Sequence, residues 1–187
     1  MATSLTPYQT IGPFFHHALL FTGGELLTAE ATVGQRIVIE GTVRDGAGAP
    51  VAEALIEIWQ ADAAGRYNHP DDVRDGPRDV TFDGFGRTPT DEAGRFSFAT
   101  IKPGSVLDPS GGTQAPHVLV SIFARGILTR LVTRIYFDDE PANDHDPILA
   151  IVPVERRPTL LARREADGRY RYDIRLQGDN ETVFFDV

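Results

Sequence analysis

The sequence predicts an all-β sandwich, and three observations carry that expectation. Short runs alternate apolar and polar side chains with period two, which puts one strand face in a core and the other outside it. Turn clusters rich in Gly, Asp and Pro separate those runs. Helical patterning is sparse: the best candidate is ERRPTLLARRE (155–165), with Pro158 in a first turn and Leu160, Leu161 and Arg164 after it. Eight or so short strands and one short helix spell two packed sheets in a single domain, residues 1–187.

Residues 1–34 lack clear periodicity and are broken by Pro7 and Gly12-Pro13. With Leu5, Tyr8, Ile11, Phe14 and Phe15 they form an arm too apolar to float free, packed on its own domain or on a neighbouring subunit. QRIVIEGTVRD (35–45) reads as a strand with Ile37 and Ile39 on one face. The turn cluster DGAGAP and a second strand, VAEALIEIWQ (51–60), follow as in a hairpin. Residues 61–87 are a long Gly-, Asp- and Pro-rich loop, of a length usually reserved for function or disorder. TDEAGRFSFATIKPG adds a turn and a strand with Phe96 and Phe98 on one face. QAPHVLVSIFARG (114–126) and LTRLVTRIYF (128–137) are the next strands, then an acidic loop, DDEPANDHDP (138–147). GRYRYDIRLQG (168–178) places Tyr170, Tyr172, Ile174 and Leu176 on one face, and ETVFFD (181–186) closes the chain.

Composition narrows the function. A formal charge of −9 opposes nucleic acid and anionic membrane as partners, while leaving room for a small anion at a local arginine. The absence of cysteine excludes disulfides, Fe–S clusters and thiolate zinc sites. The start has no signal-peptide pattern and no apolar run approaches the ~20 residues of a membrane span, so the expected compartment is the cytoplasm.

Most chemical candidates fall away. His16-His17 point opposite ways if the arm is extended, and Asp144-His145-Asp146 reads as a solvated turn. There is no phosphate loop and no nucleophile elbow. The 114–126 strand is the exception. Its face of His117, Leu119, Ser121, Phe123 and Arg125 begins with an imidazole and ends with a guanidinium, groups a core excludes, whereas Val118, Val120, Ile122 and Ala124 are purely apolar.

GTVRD…PVAEALIEIWQADAAGRYNHP, FGRTPTDEAGRFSFATIKPG, APHVLVSIFARG and RLVTRIYFDDE together resemble the intradiol ring-cleaving dioxygenases, from about residue 5 to the C-terminus. The resemblance implies a β-sandwich of that type. The family's catalytic chains hold a ferric ion through two tyrosines and a His-x-His pair, hard anionic oxygens with imidazoles. Those four positions fall here on Tyr67, Val106, His117 and Leu119, and the arginine preceding the pair falls on Gln114. Two donors are thus replaced by alkyl groups, so the chain is expected to bind no metal. Tyr67 and His117 are then expected to hydrogen-bond each other or the backbone.

The resemblance further implies a homologous β chain as partner, carrying the Fe(III), in an α–β assembly, with residues 1–34 packing on the partner. It also implies an aromatic acid as substrate, and substrate-binding positions at Thr10, Gly12, Pro13 and Arg125, with no catalytic residue on this chain alone. An arginine at a strand end suits an aromatic carboxylate, and otherwise an ordinary ion pair. A competing class is a non-catalytic prealbumin-like binding module. It shares the G-x-V-x-D-x-x-G pattern but lacks the arm, the 61–87 loop and the VFFD ending.

Overall fold

The computed structural model describes residues 7–12, 14–74, 76, 78–107 and 111–186, backbone only at His16 and Asp167. Among these residues eleven strands form: β1 (Arg36–Arg44), β2 (Leu55–Gln60), β3 (Phe85–Pro89), β4 (Arg95–Ile101), β5 (Val106–Leu107), β6 (Thr113–Gln114), β7 (His117–Phe123), β8 (Leu131–Phe137), β9 (Leu161–Arg164), β10 (Arg169–Arg171) and β11 (Ile174–Arg175). Two short α-helices join them, α1 (Phe15–Leu19) and α2 (Pro147–Ile151), with three 3-10 turns.

The strands do not divide into two sheets. A continuous path runs β4-β1-β10-β9-β8-β7-β2-β3, with β11 extending the β10 edge of β1, and only β5–β6 stands apart. The ends of the path, β3 and β4, are consecutive in sequence, and residues 24–27 fill the gap between them. Arg87 N donates to Gly24 O at 2.8 Å, Leu27 N to Ala99 O at 2.9 Å, and Ala99 N to Glu25 O at 2.9 Å. The sandwich expectation is thereby corrected to a nearly closed, barrel-like sheet. Alternation along a strand is the same in both architectures, so it could not tell them apart. Part of the 1–34 segment belongs to this seam: Leu27 and Thr32 are buried, and Val33 N donates to Asp79 Oδ2.

Inside the sheet lies one core in which Ile37, Ile39, Ile56, Ile58, Phe96, Phe98, Val118, Val120, Ile122, Ile135, Phe137 and Tyr170 interlock. Each large side chain buried there contributes roughly 1.5–3 kcal/mol. A smaller cluster of Ala115, Tyr136, Leu149, Val152 and Leu160 sits outside it, under α2.

Three local expectations are overturned by pairing. β1 and β2 are not a hairpin: β1 pairs with β4, β10 and β11, and β2 with β3 and β7. The turn 45–49 does close, through Asp45 N to Ala49 O at 3.0 Å, but Glu53 then adopts φ 57° and redirects the chain. The 155–165 stretch is no α-helix. Residues Arg157–Leu160 make a 3-10 turn, and Leu161–Arg164 extend as β9, parallel to β8 and antiparallel to β10, because the backbone of β8 and β10 offers partners there. The tyrosine strand breaks between β10 and β11, where Asp173 Oδ1 accepts from Thr42 N (2.9 Å) and Thr42 Oγ1 (2.8 Å) in place of a ladder bond.

Two glycines permit the close approaches. A Cβ on Gly41 would lie 1.7 Å from Tyr172 O, and one on Gly24 would lie 2.4 Å from Arg87 O. We expect Gly24→Ala, at the seam, to lower unfolding free energy by about 1–3 kcal/mol, and Gly41→Ala, inside the ladder, to cost more. Urea denaturation of both variants checks the order; equal midpoints to the parent would contradict the closed seam.

Candidate functional site

Of the four positions that the resemblance matched to the family's ligands, Tyr67 and His117 meet at the start of β7, where Leu119 follows two residues on, and Val106 lies in β5 as the ladder partner of Gln114. Tyr67 is brought to β7 by the loop after β2. Asp62 Oδ1 accepts from Ala64 N and Arg66 N at 2.9 Å each, while Asp62 O accepts from Gly104 N at 2.9 Å and docks the loop on the segment that leads to Val106. Asp72 then accepts from Tyr67 N (2.7 Å), Arg74 Nε (2.7 Å) and Arg66 Nε (3.3 Å). The hydrogen-bonded Arg74 guanidinium holds the Asp72 carboxyl well below the usual carboxylate range. The Tyr67 ring stacks on Trp59, with centroids 5.9 Å apart and planes 11° from parallel.

His117 is buried. Its Nδ1 bonds the carbonyl of Ala115 at 2.8 Å, and since a carbonyl only accepts, Nδ1 carries the proton. Nε2 is then the acceptor that faces the Tyr67 hydroxyl at 3.4 Å. Both expected partners, phenol and backbone, are therefore present. Burial, with the Arg134 charge adding to it, pushes the imidazole down to about 4, and burial pushes the Tyr67 phenol up.

Two residues that sequence reasoning passed over, Arg134 and Tyr136, and one that it took for part of a solvated turn, Asp146, build the floor of this cluster. Arg134 Nη1 donates to Gln114 Oε1 at 2.7 Å and to Tyr136 Oη at 3.3 Å. The Tyr136 hydroxyl donates to Asp146 Oδ1 at 3.1 Å. Asp146 is not a solvated turn residue but a buried one. Oδ1 also caps α2 through Ile148 N and Leu149 N, and Oδ2 accepts from Ala115 N at 2.7 Å. Aspartate before Pro147 and an apolar pair was a readable helix-start signal. Nothing local marked Arg134, whose role follows from its register opposite Leu119.

These residues do not fit a ferric ion. Val106 and Leu119 offer alkyl groups, Tyr67 and His117 bond each other, and a guanidinium is anchored beside them. Among the described residues no group of three or more His, Asp and Glu is gathered as a metal site. Leu119 instead lines a shallow groove of about 340 Å³ with Trp59, Phe85 and Arg130. No helix among the described residues is long and apolar enough to cross a membrane.

The other candidates gather at the far end of β7. Thr10 Oγ1 accepts from Gly126 N at 2.8 Å, and the Phe15 ring lies 5.5 Å from that of Phe123, so the arm lies against the FARG turn. Gly12 O accepts from Phe15 N at 3.1 Å; Pro13 lies outside the described residues. His16-His17 fall in α1 and not in an extended arm. Arg125 stands in the turn beyond β7, paired with Glu53, both substantially exposed at 63% and 46%. Tyr8 and Phe14, in the arm, are 78% and 77% exposed.

Residues 11–178 match the family model described as Dioxygenase. The protocatechuate 3,4-dioxygenase alpha chain of Burkholderia cepacia is 44% identical, over 97% of both chains. The beta chain of the same enzyme is 40% identical over 80% of this chain and 68% of its own. Among solved structures, the dioxygenase domain of a carbohydrate-binding fusion from Streptomyces sp. SirexAA-E superposes with a TM-score of 0.63 at 27% identity, covering 94% of this chain and 99% of that one.

The lowered imidazole has a consequence for stability. The unfolded chain takes up a proton near the ordinary value of about 6.5, while the folded site resists until about 4. The unfolded state therefore binds more protons in that window, and stability falls as pH drops from 6.5 to 4. We expect His117→Gln to flatten this slope by up to about 3 kcal/mol across the window, the free-energy equivalent of that shift. Urea titrations at pH 7, 5.5 and 4.5 check it.

Proposed function

The chain belongs to the intradiol ring-cleavage dioxygenase family, and on that premise we propose that it serves as the non-iron-binding α subunit of a protocatechuate 3,4-dioxygenase. A homologous β chain holds the Fe(III), and together the two open 3,4-dihydroxybenzoate with O2, between its hydroxyls, to 3-carboxy-cis,cis-muconate. The observation that carries this reading is the 44% identity to an α chain over 97% of both proteins. Family membership also removes the prealbumin-like module from consideration.

This chain's contribution is a wall for the partner's site, not chemistry of its own. Arg125, Thr10, Gly12 and Pro13 supply it, and the bond from Gly126 N to Thr10 Oγ1 supports treating arm and turn as one surface. A guanidinium there can fork onto the substrate carboxylate. Its present partner, Glu53, is no obstacle, because an exposed ion pair is worth only about 0–1 kcal/mol and is readily exchanged. The exposed Tyr8 and Phe14 rings supply apolar surface for the β chain.

Arg125→Ala, co-expressed with the β chain, is expected to raise KM for protocatechuate about tenfold or more, the scale of one lost charged hydrogen bond. Iron content should be unchanged; unaltered steady-state kinetics would refute the role. Expressed separately, neither this chain nor its partner should reach full ring cleavage, and the red-brown tyrosinate-to-iron colour should appear only where the β chain is present.

A further inference from the structure

The geometry points to Arg134 as a built-in cation of the remnant donor cluster, one that locks its side chains together and itself excludes a metal ion. One of the four positions faces it directly, and the other three are reached through its hydrogen-bond partners. Leu119 is its partner across the β7–β8 ladder. Gln114, which accepts from Nη1 at 2.7 Å, is the ladder partner of Val106. Tyr136, reached at 3.3 Å, is the ladder partner of His117, and the two rings lie 5.8 Å apart. His117 in turn meets the Tyr67 hydroxyl. Burial is the main influence on the Tyr67 and Tyr136 phenols and pushes both up, and the Arg134 charge acts against it in each.

The charge is also held in place. Arg134 is only partly exposed, and its acceptor network ends on the buried carboxylate of Asp146, which four donors satisfy. A guanidinium keeps its proton under all ordinary conditions, so it cannot step aside for a metal as a lysine or histidine could by deprotonating. Loss of two donors is therefore one of two barriers to metal, and Arg134 is the second and independent one. The inference concerns this cluster alone and stands whether or not Arg125 meets substrate.

The test restores the donors with and without the cation. The full chain carrying Val106→Tyr and Leu119→His, with Arg134 kept, is expected to take up little Fe(III) and to show no visible tyrosinate-to-iron band. Adding Arg134→Gln, which keeps an N–H donor for Gln114 but drops the charge, should raise bound iron at least tenfold and bring the band up. Equal iron in the two folded variants overturns the proposal. Should either fail to fold by circular dichroism, the milder pair decides. Leu119→His and Leu119→His/Arg134→Gln, each assembled with the partner chain, are dialysed against Co(II). At least tenfold tighter uptake per chain in the second supports the role, and equal affinity overturns it.

Discussion

The rest of the molecule hangs on the two-residue repeat of β7, held in register by antiparallel neighbours on both edges. β2 and β8 each pair with it over six residues, so a slip by one position on either side would exchange every inward side chain for an outward one. Val118, Val120 and Ile122 thereby stay in the core, and His117, Leu119 and Ser121 stay on the outer face. The same register fixes the distance between the strand's two polar ends. About eight residues at roughly 3.3 Å each separate the His117 cluster from Arg125, so the two cannot serve one site within a single chain.

That separation lets the two ends of one strand have different environments. At the His117 end, polar groups have been left inside the fold, and each is satisfied: Asp146 by two α2 amides, Ala115 N and the Tyr136 hydroxyl, His117 by Ala115 O and Tyr67. A half-satisfied network would be worse than an apolar one, which is why losing two ligands had to be matched by partners for the remaining two. At the Arg125 end little is buried. The ion pair with Glu53 is exposed, and the neighbouring arm presents aromatic rings to solvent. One end has been closed by internal contacts, and the other keeps its contacts available.

Closure of the sheet has a similar logic. An open path of eight strands would leave β3 and β4 as unpaired edges, and such edges invite association with other chains. Residues 24–27 cover both, using their own backbone groups, so this portion of the N-terminal segment is structural. Tyr8 and Phe14, earlier in the same segment, stay exposed, and Thr10 meets the turn at Gly126.

The sequence alone determined the strand character of β1, β2, β4, β7 and β8, the apolar inner face of β7 and the missing donors at positions 106 and 119. These are local properties: the alternation is written in consecutive residues, and a valine or leucine cannot ligate iron in any fold. Tertiary structure decided the rest. It turned the 161–164 stretch from helix to strand, separated β1 from β2, joined all strands but β5 and β6 into one nearly closed sheet, made Asp146 a buried cap and bonded Arg134 to Gln114 and Tyr136. Each of these depends on which backbone or side-chain partner lies across a ladder or a loop, and partners distant in sequence leave no periodic trace in the residues themselves.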